Sequence, residues 1–396
     1  MASFYKRGKT WSFSIYVGFD ADGKRKKKGV GGFRTKKEAQ EAANVLEMEV
    51  LGGTYIEEKD ITFFDFSKGW LQMYGANAKA SSVRIRQHEV NKLNTYFKHI
   101  KLKDITRKQY QDALLDLQQK GFAVNTISGV HGTGRMIFKK GIELGVIKND
   151  ASQFARPPRK QQTVEDIENE TEIPKYLEKE QLATFLRFAH DGGMHDDYTV
   201  FLLLAYTGIR AGELCALKWQ DIDFDENLIK ITKTYYNPSN NIKNFILQPP
   251  KTKSSRRTIQ VTDKVINELK LHQLRQQKYR AKLELENETV EIKTEWHDEG
   301  FIFCTPRYPG YPLYIKFIEN RMARLLRISD LPKELTPHSL RHTHTSLLAE
   351  AGVTLEEIME RLGHSDDDTT RKVYLHVTKD MKKEAAHKFD ALMDNL

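Results

Sequence analysis

Cysteine is scarce in this 396-residue chain: Cys215 and Cys304 are the only two, too few for a disulfide framework or a cysteine-rich zinc site. Such usage belongs to a reducing compartment and predicts a cytoplasmic protein. Long apolar runs are missing as well. No stretch of about 18 apolar residues occurs, so no membrane-spanning helix is expected. The N-terminal MASFYKRGKTW lacks the apolar core of a signal peptide. Neither an internal repeat nor a low-complexity tract is evident. Acidic residues fall short of basic ones, 54 against 63, which leaves a net charge of +9. That balance favours a polyanionic partner, nucleic acid or an acidic membrane surface. What is present is apolar material for real cores, 39% of residues. The length predicts two or three domains.

The charge is uneven along the chain. Residues 1–37 hold eleven Lys or Arg against two Asp. Within them Trp11, Phe13, Ile15 and Val17 alternate with Ser12, Ser14 and Tyr16, the period of a half-buried strand. Asp22-Gly23 signals a turn, and a second strand runs from Lys24 to Phe33. Thr35 and Glu38 then form a capping box for a helix that stops at Gly52-Gly53. A small sheet with a basic hairpin suits groove or phosphate contact; a solvated hairpin without a partner is the plainer alternative. From about 60 to 150, helical spacing recurs four times: Phe63 to Tyr74, Ser81 to Ile100, Asp104 to Leu117 and Asn125 to Leu144. Polar faces there carry Arg84, Arg86, Lys92, Lys98, Arg135, Lys139 and Lys140. Residues 151–175 lose this periodicity and gain prolines, so they read as a linker. A mostly helical third domain follows from Tyr176, with a strand-rich insert from Ile229 to Val261.

Four features of that third domain call for a joint explanation. Arg210 and Glu213 lie in TGIRAGEL, directly after the apolar run Val200 to Ala205, and a structural ion pair would account for them alone. Lys251, Lys253, Arg256 and Arg257 stand between extended segments, which predicts a basic hairpin tip. Thr336 and Pro337 open a helix that places His338 and Arg341 on one face of its anion-attracting N-terminal end. Gly363 ends a helix just before His364, and Tyr374 follows ten residues later. Singly, each has a structural explanation. Together they supply a phosphoryl-transfer site. Two arginines clamp non-bridging oxygens, histidines add hydrogen bonds, a lysine protonates a leaving oxygen, and a tyrosine attacks.

The order Arg210, Lys251, His338-x-x-Arg341, Leu-Gly-His364, Tyr374 resembles the catalytic signature of the tyrosine recombinase (phage integrase) family. Residues 1 to about 55 resemble the arm-binding domain of temperate-phage and conjugative-element integrases, with its three-stranded sheet and single helix. Residues 60–150 resemble the family's core-type, SAM-like DNA-binding domain. The resemblance implies a multidomain, mainly α protein: an arm-type domain over 1–56, an all-helical core-binding domain over 60–150, a linker over 151–175, and a catalytic domain with a small β-insert over 176–380. Residues 381–396 would pack as a helix on their own or a neighbouring protomer.

It further implies Arg210 and Arg341 on the scissile phosphate, Lys251 as general acid with Lys253 as its alternative, His338 as an acid/base or hydrogen-bonding group, His364 as a phosphate ligand and Tyr374 as nucleophile. No role follows for His342, His344 or His376, and Glu213 organises Arg210. The implied reaction integrates and excises a prophage or other mobile element through a 3′-phosphotyrosine and a Holliday junction, without metal, ATP or cofactor. Its partners would be double-stranded DNA at core and arm sites, three further copies of the chain, and an excisionase or DNA-bending host factor, with no membrane. A conjugative-element transposase with relaxed target choice, a type IB topoisomerase and a catalytically dead DNA-binding regulator are the alternatives.

Overall fold

The computed structural model describes residues 2–19, 22–53, 55–56, 58–158, 176–239, 241–250, 252, 254–289, 293–363, 368 and 370–377. The chain divides into two compact units, Met1–Gln161 and Gln162–Leu396. Among the described residues no helix is long and apolar enough to cross a membrane.

The first unit begins with an antiparallel sheet of β1 (Ser3–Arg7), β2 (Thr10–Phe19) and β3 (Arg25–Phe33), in that spatial order. Alternation along β2 turns Phe13 and Ile15 inward, where they pack on Ala39 and Ala43 of helix α1 (Lys36–Leu51). The small alanines let helix and sheet approach. Tyr16 faces the other way, with the Arg25 guanidinium 5.7 Å and the Lys27 ammonium 4.8 Å from its ring centre. Thr35 caps α1 by accepting from the Glu38 N–H at 3.2 Å. The Glu38 carboxylate reaches back one residue further than expected, to the Arg34 N–H.

Four helices follow: α2 (Phe63–Gly75), α3 (Ala80–Phe97), α4 (Arg107–Gln119) and α5 (Val124–Glu143). Their apolar faces meet around Phe63, Trp70, Phe97, Tyr110 and Phe138, each aromatic side chain contributing about 2–3 kcal/mol through burial. Tyr110 lies directly over Gly134, where no side chain would fit. One expectation is corrected here. Arg86 does not extend from a polar face; its guanidinium bonds Glu89 at 2.7 Å and the Thr133 hydroxyl at 3.0 Å, tying α3 to α5. The buried Thr133 hydroxyl and the part-buried Glu89 carboxylate give it two acceptors between the helices.

In the second unit, α6 (Lys179–Asp191) and α7 (Asp197–Thr207) precede the short α8 (Ala211–Cys215). Helix α7 is apolar on every side, from Val200 to Ala205, and forms the centre of the core. Strands β4 (Ile222–Asp223), β5 (Leu228–Ile231) and β8 (Arg257–Gln260) make one antiparallel sheet. Strands β6 (Thr234–Tyr236) and β7 (Ile246–Gln248) form a separate hairpin. Helices α9 (Asp263–Thr289), α10 (Ile315–Ile328), α11 (Pro337–Glu350) and α12 (Leu355–Leu362) follow, and residues 370–377 are helical.

The insert therefore appears where the apolar alternation put it, but the basic stretch 251–257 is not the tip of a hairpin. The strands on either side of it pair elsewhere, β7 with β6 and β8 with β5. Pro249 and Pro250 lack the N–H groups a ladder needs, so the chain leaves one sheet and crosses to the other.

Candidate active site

The centre of the site is the C-terminal end of α7. Gly208 terminates that helix with φ of +64°, and a Cβ there would stand 2.7 Å from both His344 Cδ2 and Leu362 Cδ2. Only glycine suits such a position. The carbonyl it leaves unpaired accepts from Arg341 Nη1 at 2.6 Å, and Arg341 Nη2 donates to the Leu362 carbonyl at 2.6 Å. Arg341 comes from the first turns of α11, opened by Thr336 and Pro337, and only 2% of it is exposed. One guanidinium thus joins the ends of α7 and α12.

Two residues past Gly208, Arg210 stands at the N-cap of α8. Its backbone N–H donates to Glu213 Oε2 at 3.0 Å and its Nη1 to Oε1 at 3.0 Å. Glu213 is nearly inaccessible at 2%, whereas the Arg210 side chain keeps over a third of its surface open. Burial alone would raise the Glu213 carboxyl, but Arg257 and Arg210 hold it below its ordinary range. Arg257 of β8 supplies that second cation. Its Nη2 meets Oε2 at 2.9 Å and its Nη1 meets Oε1 at 3.3 Å, while its Nε donates to the Arg361 carbonyl at 2.8 Å.

Gly363 ends α12 with φ of +72°. A Cβ on it would meet the Ser254 carbonyl oxygen at 2.9 Å and Ser255 Cα at 3.0 Å, and the Ser255 hydroxyl donates to the Gly363 carbonyl at 3.3 Å. The segment that follows the two candidate lysines is therefore stitched to the turn that precedes His364. Lys251, Lys253 and His364 themselves lie outside the described residues, as does 381–396. His338 is exposed at the start of α11, its ring edge-on to that of His342 at 4.8 Å. Tyr374, half-buried, packs against the cluster of Ala349, Ile358 and Leu362. Arg210, Arg341 and Gly363 are thus drawn together through shared partners. Leu362 brings Arg341 and the tyrosine's cluster to the same turn.

Three participants went without a role in the sequence. Arg257 was read as part of a basic tip, yet period-two counting from buried Ile259 puts it on the inward face of its strand. Arg361 donates from Nε to His344 Nε2 at 3.1 Å, from Nη1 to the Gln260 carbonyl at 2.9 Å and from Nη2 to the Tyr206 carbonyl at 3.3 Å. His344 donates from Nδ1 to the Ala205 carbonyl at 2.9 Å, so its tautomer is set by its two partners. Burial, with Arg361 beside it, pushes the His344 imidazole down to about 3.

Comparison with known proteins identifies the family to which this chain belongs. The model of the phage integrase family matches residues 175–381, that of an arm DNA-binding domain residues 3–50, and that of a phage integrase N-terminal SAM-like domain residues 62–118. The integrase of Staphylococcus phage L54a is 31% identical over 360 residues, covering 85% of this chain and 95% of that protein. The structure of the Tn1549 transposon integrase in complex with transposon right end DNA resembles the fold with a TM-score of 0.64 at 22% identity, over 83% of this chain and 99% of that one. A lambda integrase tetramer bound to a Holliday junction gives 0.54 at 17% identity, over 93% and 94%. The chain belongs to the phage integrase family and is a tyrosine-type site-specific recombinase.

Proposed function

We propose that this recombinase integrates and excises a prophage or related mobile element, with Tyr374 as its nucleophile. Tyr374 attacks one phosphodiester of duplex DNA, forms a 3′-phosphotyrosine and frees a 5′-hydroxyl. The new ester keeps the bond energy, so a 5′-hydroxyl from a second duplex reseals the strand without ATP. Arg210 and Arg341 are assigned to the non-bridging oxygens, assisted by His338 and His364. Arg210 is already open to solvent, whereas Arg341, buried against the Gly208 and Leu362 carbonyls, turns toward the phosphate when DNA binds. Lys251, or Lys253 two residues on, protonates the leaving oxygen. Cationic groups held rigid before the reaction stabilise the charge that builds on the phosphoryl oxygens.

The observation that carries this reading is the convergence at the end of α7. Arg341 bonds the Gly208 and Leu362 carbonyls, and Arg210 follows Gly208 by two residues. Tyr374 packs on the cluster that contains Leu362. In this scheme residues 1–56 bind arm sites and 60–150 core sites. Residues 151–175 link them to the catalytic domain at 176–380, and 381–396 contact the same or a neighbouring protomer. Four copies act on two duplexes, as the lambda tetramer on a Holliday junction suggests, and an excisionase or bending factor sets direction. The work takes place on DNA in the bacterial cytoplasm.

The test uses a nicked duplex carrying the element's junction sequence, with a chelator present. Covalent protein–DNA adduct mapped by peptide mass to Tyr374 is expected, and Tyr374→Phe binds DNA but forms none. Adduct formation by the phenylalanine variant would refute the assignment.

A further inference from the structure

We propose that Arg257 is a positioning residue for strand cleavage, keeping the charge of Arg210 available to the scissile phosphate by sharing Glu213 with it. This rests on the assignment of Arg210 to the phosphate made above. The Glu213 carboxylate has two oxygens, and each is divided between the same two arginines. Oε1 accepts from Arg210 Nη1 at 3.0 Å and Arg257 Nη1 at 3.3 Å; Oε2 accepts from the Arg210 N–H at 3.0 Å and Arg257 Nη2 at 2.9 Å. The Arg257 and Glu213 side chains are 5% and 2% exposed, while Arg210 is 37% exposed. The buried arginine therefore neutralises the carboxylate, and the exposed one is oriented by it.

Charge counting shows what Arg257 does. With both arginines the cluster carries a net +1, and its accessible end is Arg210. Without Arg257 the buried carboxylate has Arg210 as its remaining ion-pair partner, and an uncompensated carboxylate in that setting pulls hard on the nearest cation. Arg210 would then be neutralised in place and drawn inward.

The remaining donors of Arg257 fix two other segments. Nε donates to the Arg361 carbonyl at 2.8 Å, in the last turn of α12, and Nη1 to the Ser255 carbonyl at 3.1 Å. The Gly363 turn lies against the same side chain, since a Cβ on Gly363 would come within 3.1 Å of Arg257 Cδ. A lysine could replace the charge but not a planar fork that serves a carboxylate and two carbonyls at once.

The experiment measures single-turnover adduct formation by the full chain on the nicked duplex, with DNA affinity and thermal unfolding recorded for every variant. Arg257→Met is expected to cleave about 100-fold more slowly, the scale for losing a preorganised cationic contact to the reacting oxygens. Arg257→Lys should lose about tenfold, because charge is kept and geometry is not. DNA affinity should change less than threefold.

The discriminating variant is Glu213→Gln combined with Arg257→Met. Removing the carboxylate releases Arg210, so the double variant should cleave at least tenfold faster than Arg257→Met alone. A residue that merely holds the fold together would give no such recovery. A duplex with sulfur at the bridging 5′ position, whose thiolate leaves without a proton, should not rescue Arg257→Met. Rescue there would put Arg257 on the leaving-group side and overturn the proposal, as would wild-type rates in Arg257→Met or no gain in the double variant. If Arg257→Met fails to fold, Arg257→Gln, which removes the charge but keeps a donor for the buried carbonyls, is compared with its own Glu213→Gln combination and decides in the same way. Wild-type chain that forms no adduct, or forms it without Tyr374, would instead refute the catalytic assignment itself.

Discussion

Acidification should weaken the catalytic unit through one histidine. His344 is 6% exposed and occupies both ring nitrogens: Nδ1–H donates to the Ala205 carbonyl, and Nε2 accepts from Arg361. Protonation would turn that acceptor into a donor aimed at a guanidinium, and burial opposes the added charge. The imidazole is accordingly pushed from 6.5 down to about 3. Between these values the unfolded chain binds a proton that the folded one refuses. The stability contributed by neutral His344 is whole above pH 6.5 and declines as pH falls toward 3. Each pH unit in that window removes about 1.4 kcal/mol, so a drop from 6.5 to 5.0 should cost about 2 kcal/mol from this group alone. His344→Gln keeps an acceptor for Arg361 and has no proton to gain. Urea unfolding of the full chain at several pH values, read by hydrogen exchange over residues 197–207, would compare the two. The glutamine variant starts less stable because it loses ring packing, and its stability should fall less steeply by about one proton below pH 6.5. Parallel curves for variant and wild type would refute the account.

Gly208→Ala should destabilise the same unit by more than the roughly 1–2 kcal/mol of a left-handed backbone, since its Cβ also meets His344 and Leu362 at 2.7 Å; urea midpoints will show it. Arg86→Met removes one of two side-chain bonds between α3 and α5, the Thr133 hydroxyl keeping its bond to Glu89, and leaves that carboxylate without its cation, which should cost about 1–3 kcal/mol in the first unit by thermal unfolding. The Asp60 carboxyl, bonded by Lys101 and Lys103, should titrate near 2 by carbon-detected NMR and return toward 3.8 when both lysines become alanine.

What could be read in the sequence follows the range of the forces involved. Strands β2 and β3 and helix α1 announce themselves through alternation, a turn dipeptide and a threonine cap, all local signals. Strand β1 does not. Its five residues SFYKR carry too little alternation, and its pairing with β2 was implied by resemblance alone. The motifs to which catalysis is assigned sit at helix ends, where capping and glycine mark the position, so the places of Arg210, His338 and Arg341 and the helix stop at Gly363 could be read locally. Arg257 was not, because its partner Glu213 is 44 residues away and the charge count of a buried pair cannot be seen locally. The supposed hairpin at 251–257 failed for a similar reason: strand partners are chosen across the sheet, not by neighbours in the chain.

The contacts that close the site also set when it can exist. Gly208 and Arg341 are 133 residues apart, and Arg257 and Arg361 are 104 apart. A ribosome adding roughly 5–20 residues per second needs about 8–30 s to travel from Arg210 to Leu362. For most of that interval the nascent chain displays Arg210 without Arg341, and the Leu362 carbonyl that Arg341 also bonds comes last. Truncated or stalled chains ending before α12 are therefore unable to assemble the pair. Fragments that end before α12 thus lack the Leu362 carbonyl and the Gly363 turn against which Arg341 and Arg257 are held, and the two arginines can be fixed in place only once that helix has been made.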